Sequence, residues 1–310
     1  MSAPWIDVDP TLLVVAAGTA AVGAVSGALG SLAYLRRQGL VGDVVSHSAL
    51  LGVVGAFLTS HLVTGSASRS LAVLVPGALL SGFASLALAR FVTQRTRLKD
   101  DASLGAMLAV FFGGGLLLLR WIERRNPPIP GHTGLDDYLF GMAAAMTRGD
   151  LAMILALGGA CLLTLTLAWK ELKLFTFDPD FSLSLGFPAR LLDTLTMVLL
   201  VAGVVVGIQT VGVILMIAML VTPPSAARQW TGRLGPMVLL SACFGAVSGL
   251  GGALLSATEA GLPTGPIVVL IATSIFVVSL LLAPRRGVLS RARARRALRD
   301  LPSGAAGGTP

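Results

Sequence analysis

Charge is scarce in this chain. Of 310 residues, 12% are Asp, Glu, Lys or Arg, about half the share found in soluble globular domains. Lysine is scarcer still. The three copies, Lys99, Lys170 and Lys173, never follow a glycine, so no G-x4-G-K-[ST] loop exists to cradle a nucleoside triphosphate. Only two cysteines occur, Cys161 and Cys243, both inside apolar runs and not as a CxxC pair. That excludes a disulfide scaffold and a thiolate zinc site, and reads as small buried hydrophobes. There is no HExxH, no GxSxG and no dinucleotide fingerprint. The first ten residues carry Asp7 and Asp9 but no Lys or Arg, so the positive leader of a cleavable signal peptide is missing. The first apolar run is therefore expected to be a retained helix with its N-terminus outside.

Apolar length is abundant instead. Hydrophobic residues make up 55%, with 37 glycines besides, and the mean hydropathy is +0.84. Apolar segments run over about 11–35, 43–64, 70–92, 102–119, 150–169, 190–208, 210–223, 235–257 and 264–283. Most approach or exceed the ~20 residues of a bilayer-spanning helix. The expected fold is an all-α polytopic membrane bundle of about nine spans, or eight if the short 210–223 segment is a half-helix. The layout is an extracytoplasmic N-terminus (1–10), a transmembrane domain (11–284) and a basic cytoplasmic tail (285–310), Arg-rich and then Gly-rich. With the N-terminus outside, 18 of the 23 Lys and Arg fall on the inner side and 5 on the outer, as the positive-inside rule requires. The net charge of +8 thus belongs to the segment ends facing the bilayer surface, not to nucleic-acid binding.

Small residues punctuate the spans. Gly23 and Gly27, Gly203 and Gly207, and Gly245 and Gly249 each share a helix face and predict close helix approach. Two inner segments have turn chemistry. In the first, Asp178 suits an N-cap, Pro179 the first helical position, Asp180 the first turn and Gly186 the terminator, predicting a short helix. In the second, Pro223 and Pro224 are expected to stop the preceding span, with a turn of Ser225, Ala226, Ala227 and Arg228 after it. Both are either ordinary capped loops or docking elements for a cytoplasmic partner.

One constellation carries chemistry. In Gly42-Asp43-Val44-Val45-Ser46-His47-Ser48, Asp43 and His47 are spaced i, i+4 and share a helix face. Ionisable residues inside a span usually face a bundle interior or a wet path. A carboxylate oxygen with an imidazole nitrogen is a chelating pair for Zn, Mn or Fe(II). Two ligands bind weakly, as an ion that must also leave requires. The plain reading makes Asp43 a helix cap and His47 a hydrogen-bonded core residue. His61 and His132 read as interfacial or solvated, Met216 and Met219 as packing, and Glu259 as solvated.

These residues resemble the permease subunits of ABC importers for manganese, zinc or iron. Leu40 through Gly52 is similar to that family's GDxxSHxxLPG block. Leu135-Asp136-Asp137-Tyr138-Leu139-Phe140-Gly141 is similar to its YLFG block, Phe177 through Gly186 to a third block, and Gly212 through Pro223 to its GxLLxxxLLxxP block. The order holds over about residues 11–284. Leu51 stands where the family commonly has Pro, and Pro223-Pro224 replaces a single Pro.

The resemblance implies a permease in the bacterial cytoplasmic membrane. It implies a second permease copy or paralogue, a cytoplasmic ATPase dimer that binds the ATP, and an extracytoplasmic metal-binding protein. It implies no permanently bound cofactor, and a transported Mn, Zn or Fe ion passing Asp43 and His47. The ATPase would be met by Pro223 to Arg228, with Asp178, Pro179 and Asp180 as a secondary contact. The alternative from the residues alone is a proton-coupled secondary metal carrier, with Asp43 and His47 as a proton relay.

Overall fold

The computed structural model describes residues 10–65, 70–125, 146–258, 262–284 and 287. The YLFG-like block, His132, Glu259 and almost all of the basic tail lie outside the described residues. All regular structure described is helical: α1 (Pro10–Leu35), α2 (Gly39–Thr64), α3 (Leu71–Arg95), α4 (Asp100–Glu123), α5 (Arg148–Leu167), α6 (Trp169–Phe177), α7 (Pro179–Ser184), α8 (Ala189–Val211), α9 (Val213–Trp230), α10 (Leu234–Ser256) and α11 (Thr264–Leu282). Eight of them, all but α6, α7 and α9, are long and apolar enough to cross a membrane. With α9 the count is nine, so the two counts expected from the sequence differ only in that helix.

Helices in lipid gain little from hydrophobicity against one another; packing, small residues and interhelical hydrogen bonds hold them. The α1–α10 seam shows this most clearly. Gly23 lies against the Gly245 carbonyl, Gly27 against that of Ser241, and Gly249 against that of Thr19, where any Cβ would collide with backbone. The close approach brings hydroxyls into range. Ser241 Oγ donates to the Gly27 carbonyl at 2.7 Å and Thr19 Oγ1 to that of Gly249 at 3.0 Å. Such bonds are worth about 0.6 kcal/mol each on average in membranes. The third glycine pair, Gly203 and Gly207, takes up Leu29 and Met216 instead.

Two helix groups emerge. α1 packs with α5, α9 and α10, and α11 lies on α9 and α10; α2 packs with α3 and α4. α1 and α2 scarcely touch beyond the turn that joins them, while α8 packs on both groups and α9 also packs on α2. At one end of the bundle Asp193 of α8 meets Arg36 after α1 and Arg90 of α3, and Trp169 lies by Gly235 at the start of α10. Eleven of the described Lys and Arg sit at this end, against four (Arg120, Arg124, Arg125 and Arg148) at the other.

Two expectations are corrected, and one helix was not expected. Pro223 and Pro224 do not stop a span: both lie inside α9, which continues to Trp230. An internal proline frees the carbonyl four residues back, and neighbouring groups in a membrane bundle can accommodate it. Pro224 frees Leu220 O, and Gly30 of α1 sits directly against that oxygen; Ser225 Oγ meanwhile donates to Val221 O at 2.7 Å. The break comes earlier, at Gly212, with φ 79° and ψ 168°, a region essentially confined to glycine. Cys243 is exposed on the outside of α10, whereas Cys161 is buried as expected. The segment after Leu167 forms a separate helix, α6, that no sequence signal announced.

Candidate functional site

α2 carries the Asp43–His47 pair singled out in the sequence. It starts at Gly39, so Asp43 stands in its second turn and is not a cap. Its own face is set by what surrounds it. Val41, Val44, Val45, Ser48 and Ala49 are buried against neighbours. Ser81 of α3 donates its hydroxyl to Ser48 O at 2.7 Å, and Gly52 and Gly77 touch through backbone. This leaves Asp43 and His47 on the remaining side, 30% and 23% exposed respectively.

His47 Nε2 lies 3.2 Å from Asp43 Oδ1. Ligand bonds of about 2.0–2.2 Å to a zinc-like ion place two adjacent donors roughly 3 Å apart. The pair is therefore already spaced for one ion. Phe112 of α4 meets the imidazole edge-on at 4.7 Å between ring centroids and fixes the ring plane. Three buried polar atoms around the pair, His47 Nδ1, Ser46 Oγ and Ser48 Oγ, have no hydrogen-bond partner in the protein. Unpartnered polar atoms inside a membrane protein mark where water or a hydrated ion belongs. Among the described residues no third His, Cys, Asp or Glu joins the pair in a metal-holding group.

The other expected residues divide. Asp178 caps α7 by accepting from Phe181 N at 2.9 Å, with Pro179 at its first position, and Gly186 has φ 83°. This short helix is the one the sequence chemistry called for, at the basic end of the bundle. Around it Phe177, Phe181, Leu183 and Leu185 are each at least half exposed, apolar surface that no charge pattern had signalled. In the 223–228 segment Pro223, Pro224, Ala226 and Ala227 are buried; Ser225 and Arg228 keep partial access, and Arg228 Nη1 donates to Gly232 O at 3.1 Å. His61 is partly buried near the far end of α2, and Met216 and Met219 are fully buried packing.

The cluster at the basic end was missed by sequence reasoning. Arg36 Nη2 donates to Asp193 Oδ1 at 2.6 Å, Arg90 pairs with the same carboxylate, and Phe175 of α6 lies under the Arg36 guanidinium at 4.9 Å. Burial lowers the pKa of Arg36 from its ordinary value. A long-range ion pair between residues 36 and 193 leaves no spacing signal in a single sequence.

A helical bundle with eight helices long and apolar enough to cross a membrane, one of them carrying an Asp–His pair, has the build of a membrane permease. The chain belongs to the ABC 3 transport family, which it matches over residues 9–283. It is 44% identical over 288 residues to the zinc transport system membrane protein TroC of Treponema pallidum, covering 93% of this chain and 94% of that one. It is 42% identical over 289 residues to the manganese transport system membrane protein MntC of Bacillus subtilis, covering 93% of this chain but only 65% of that longer protein. The chelated iron transport protein YfeC of Yersinia pestis is 31% identical over 285 residues, covering 92% of this chain and 90% of its own. The solved structure of PsaBC from Streptococcus pneumoniae in complex with Fab superposes with a TM-score of 0.78 at 28% identity, covering 91% of this chain and 95% of that one.

Proposed function

We propose that this permease moves a divalent transition metal ion, Mn, Zn or Fe, inward across the bacterial cytoplasmic membrane. A separate cytoplasmic ATPase dimer supplies the energy, and an extracytoplasmic binding protein delivers the ion. The observation that carries this is the Asp43–His47 pair: two donor atoms 3.2 Å apart on an otherwise uncharged span, both still partly exposed. The relatives' systems, named for zinc, manganese and chelated iron, support that class of cargo. A second permease copy or paralogue would supply a second pair, giving two oxygen and two nitrogen donors about a two-fold axis. That set binds an ion more firmly than one pair, yet lets it go when the copies separate.

The concentration of Lys and Arg at one end supports a cytoplasmic position for that end, and with it an N-terminus outside and a C-terminus inside. The ATPase then meets α7, with Asp178, Pro179 and Asp180 shaping the helix and its apolar neighbours making the contact. In the 223–228 set, Arg228 and Ser225 are the residues accessible for a second contact. The test is uptake of trace Mn and Zn by cells making this chain with its ATPase and binding protein. ATP-dependent uptake of one metal, lost in Asp43→Asn, is the expected result. Uptake that survives ATP depletion but collapses with the proton gradient would favour a secondary carrier instead.

A further inference from the structure

The turn between α1 and α2 is three residues long, Arg36 to Gln38. It is the only covalent joint between the α1 group and the α2–α3–α4 group, apart from the segment that follows α4. Its backbone is unusual. Arg37 has φ 57°, the one non-glycine residue with positive φ among the described residues. A side chain in that conformation costs on the order of 1–2 kcal/mol, and such strain persists only where surrounding contacts hold it.

The turn is closed by backbone hydrogen bonds, Gln38 N to Ala33 O at 2.9 Å and Arg37 N to Tyr34 O at 3.1 Å, and its first residue, Arg36, ties it to the rest of the bundle. Its Nη2 donates to Asp193 of α8, the helix that packs on both groups. The same carboxylate holds Arg90, from the α2–α3–α4 group. Its guanidinium also lies over the ring of Phe175 in α6, which runs through Asp178 straight into α7. Arg36 thus touches the arm that ends in α7, the helix between the groups, and the joint itself. Asp43, on α2, is seven residues further along the chain.

The cluster is not packed solid. Arg36, Arg90 and Asp193 line a cavity of about 550 Å³ with Lys99 and Asp100 on its wall. Two guanidiniums share one carboxylate there, and Arg36 Nη1 is buried without a partner. A single carboxylate with two claimants, beside open space, can change partners without disturbing the apolar core. A tightly packed salt bridge could not.

We infer that Arg36 is a positioning residue that couples the α6–α7 arm to the ion-bearing helix α2, through its stacking on Phe175 and its shared carboxylate Asp193. Movement of the arm shifts the Phe175 ring, which shifts the guanidinium, and the strained turn passes this to the start of α2. The ion pairs fix where α2 stands in each state; they touch no cargo. This inference rests on the proposed ATPase-driven import with α7 as the contact.

The experiment uses the full chain, co-purified with its ATPase and reconstituted in liposomes with its binding protein. Metal uptake and ATP hydrolysis are measured together for wild type, Arg36→Lys, Asp193→Asn, Phe175→Leu and Phe175→Trp. Arg36→Lys keeps the charge but loses the planar stacking and the forked hydrogen bonding. The expected result is normal co-purification, hydrolysis within about twofold of wild type, and metal moved per ATP reduced about fivefold or more in the first three variants. Phe175→Trp, which keeps an aromatic face, is expected to stay near wild type. An unchanged ratio of metal to ATP in the first three would overturn the coupling role. So would parallel loss of uptake, hydrolysis and assembly, which marks a structural brace. If the wild-type complex shows no ATP-driven uptake, the functional reading itself fails and takes this inference with it.

Discussion

At the scale of single residues, the account turns on why Asp43 and His47 remain where they are. A carboxylate inside a span is costly by roughly 2.5–3.5 kcal/mol on insertion scales, and α2 would pack as well with an apolar residue at either position. Here the two side chains keep only partial exposure, and Phe112 of α4 meets the imidazole edge-on beside the carboxylate. Asp43→Asn keeps the size but removes the charge, and His47→Ala removes the nitrogen. Each is expected to lower metal uptake about tenfold or more, on the scale that loss of a metal-site group usually costs, while the protein still assembles. Wild-type uptake with either variant would remove the pair from the ion path. The pair itself was legible in the sequence, because i, i+4 spacing in an uncharged run is a local signal. Arg36, Arg90 and Asp193 were not. Each looks like an ordinary residue at a span end, and only the fold brings residue 193 to residues 36 and 90.

At the scale of helices, the glycine pairs of α1 and α10 were also local signals, and the structure joins them to each other through backbone. Overpacking such a seam typically costs 1–3 kcal/mol. Gly245→Val is therefore expected to lower the thermal unfolding midpoint of the detergent-solubilised protein clearly, whereas Gly105→Val, at a position where an added Cβ meets nothing within 4 Å, is expected to leave it nearly unchanged. Equal effects would contradict the seam. The α9 prolines show the opposite limit. Local chemistry says a helix should end at Pro223, yet Gly30 and the Ser225 hydroxyl attend to the carbonyls around the prolines, and the helix runs on to Trp230. The close approach of Gly30 comes from a helix nearly two hundred residues away in sequence. Phe181→Asp, on the exposed face of α7, is expected to reduce co-purification of the ATPase sharply without lowering the amount of folded permease. Arg228→Glu is expected to weaken association and coupling too, by less. Full association in both variants would place the contact elsewhere.

At the scale of the whole molecule, the bundle is two helix groups joined by the α1–α2 turn and by the segment after α4, and bridged by α8 and by the contact of α9 with α2. The fold class and approximate number of spans followed from composition and run length, because a bilayer constrains helix length more tightly than water does. The division into groups did not, since it depends on which apolar faces meet, and apolar faces in lipid look alike in sequence. Among the described residues Asp43 and His47 come together with no third His, Cys, Asp or Glu beside them, and each keeps partial exposure. On the proposed function a second copy or paralogue completes the ion site, and this is the central claim. The most direct test is the amount of metal retained by the purified permease–ATPase complex, measured by elemental analysis against chain concentration, for wild type and Asp43→Asn. For a complex of two identical copies the account predicts one tightly held Mn or Zn per two permease chains, absent from Asp43→Asn. One ion per chain, or an ion held equally well by the variant, would contradict it.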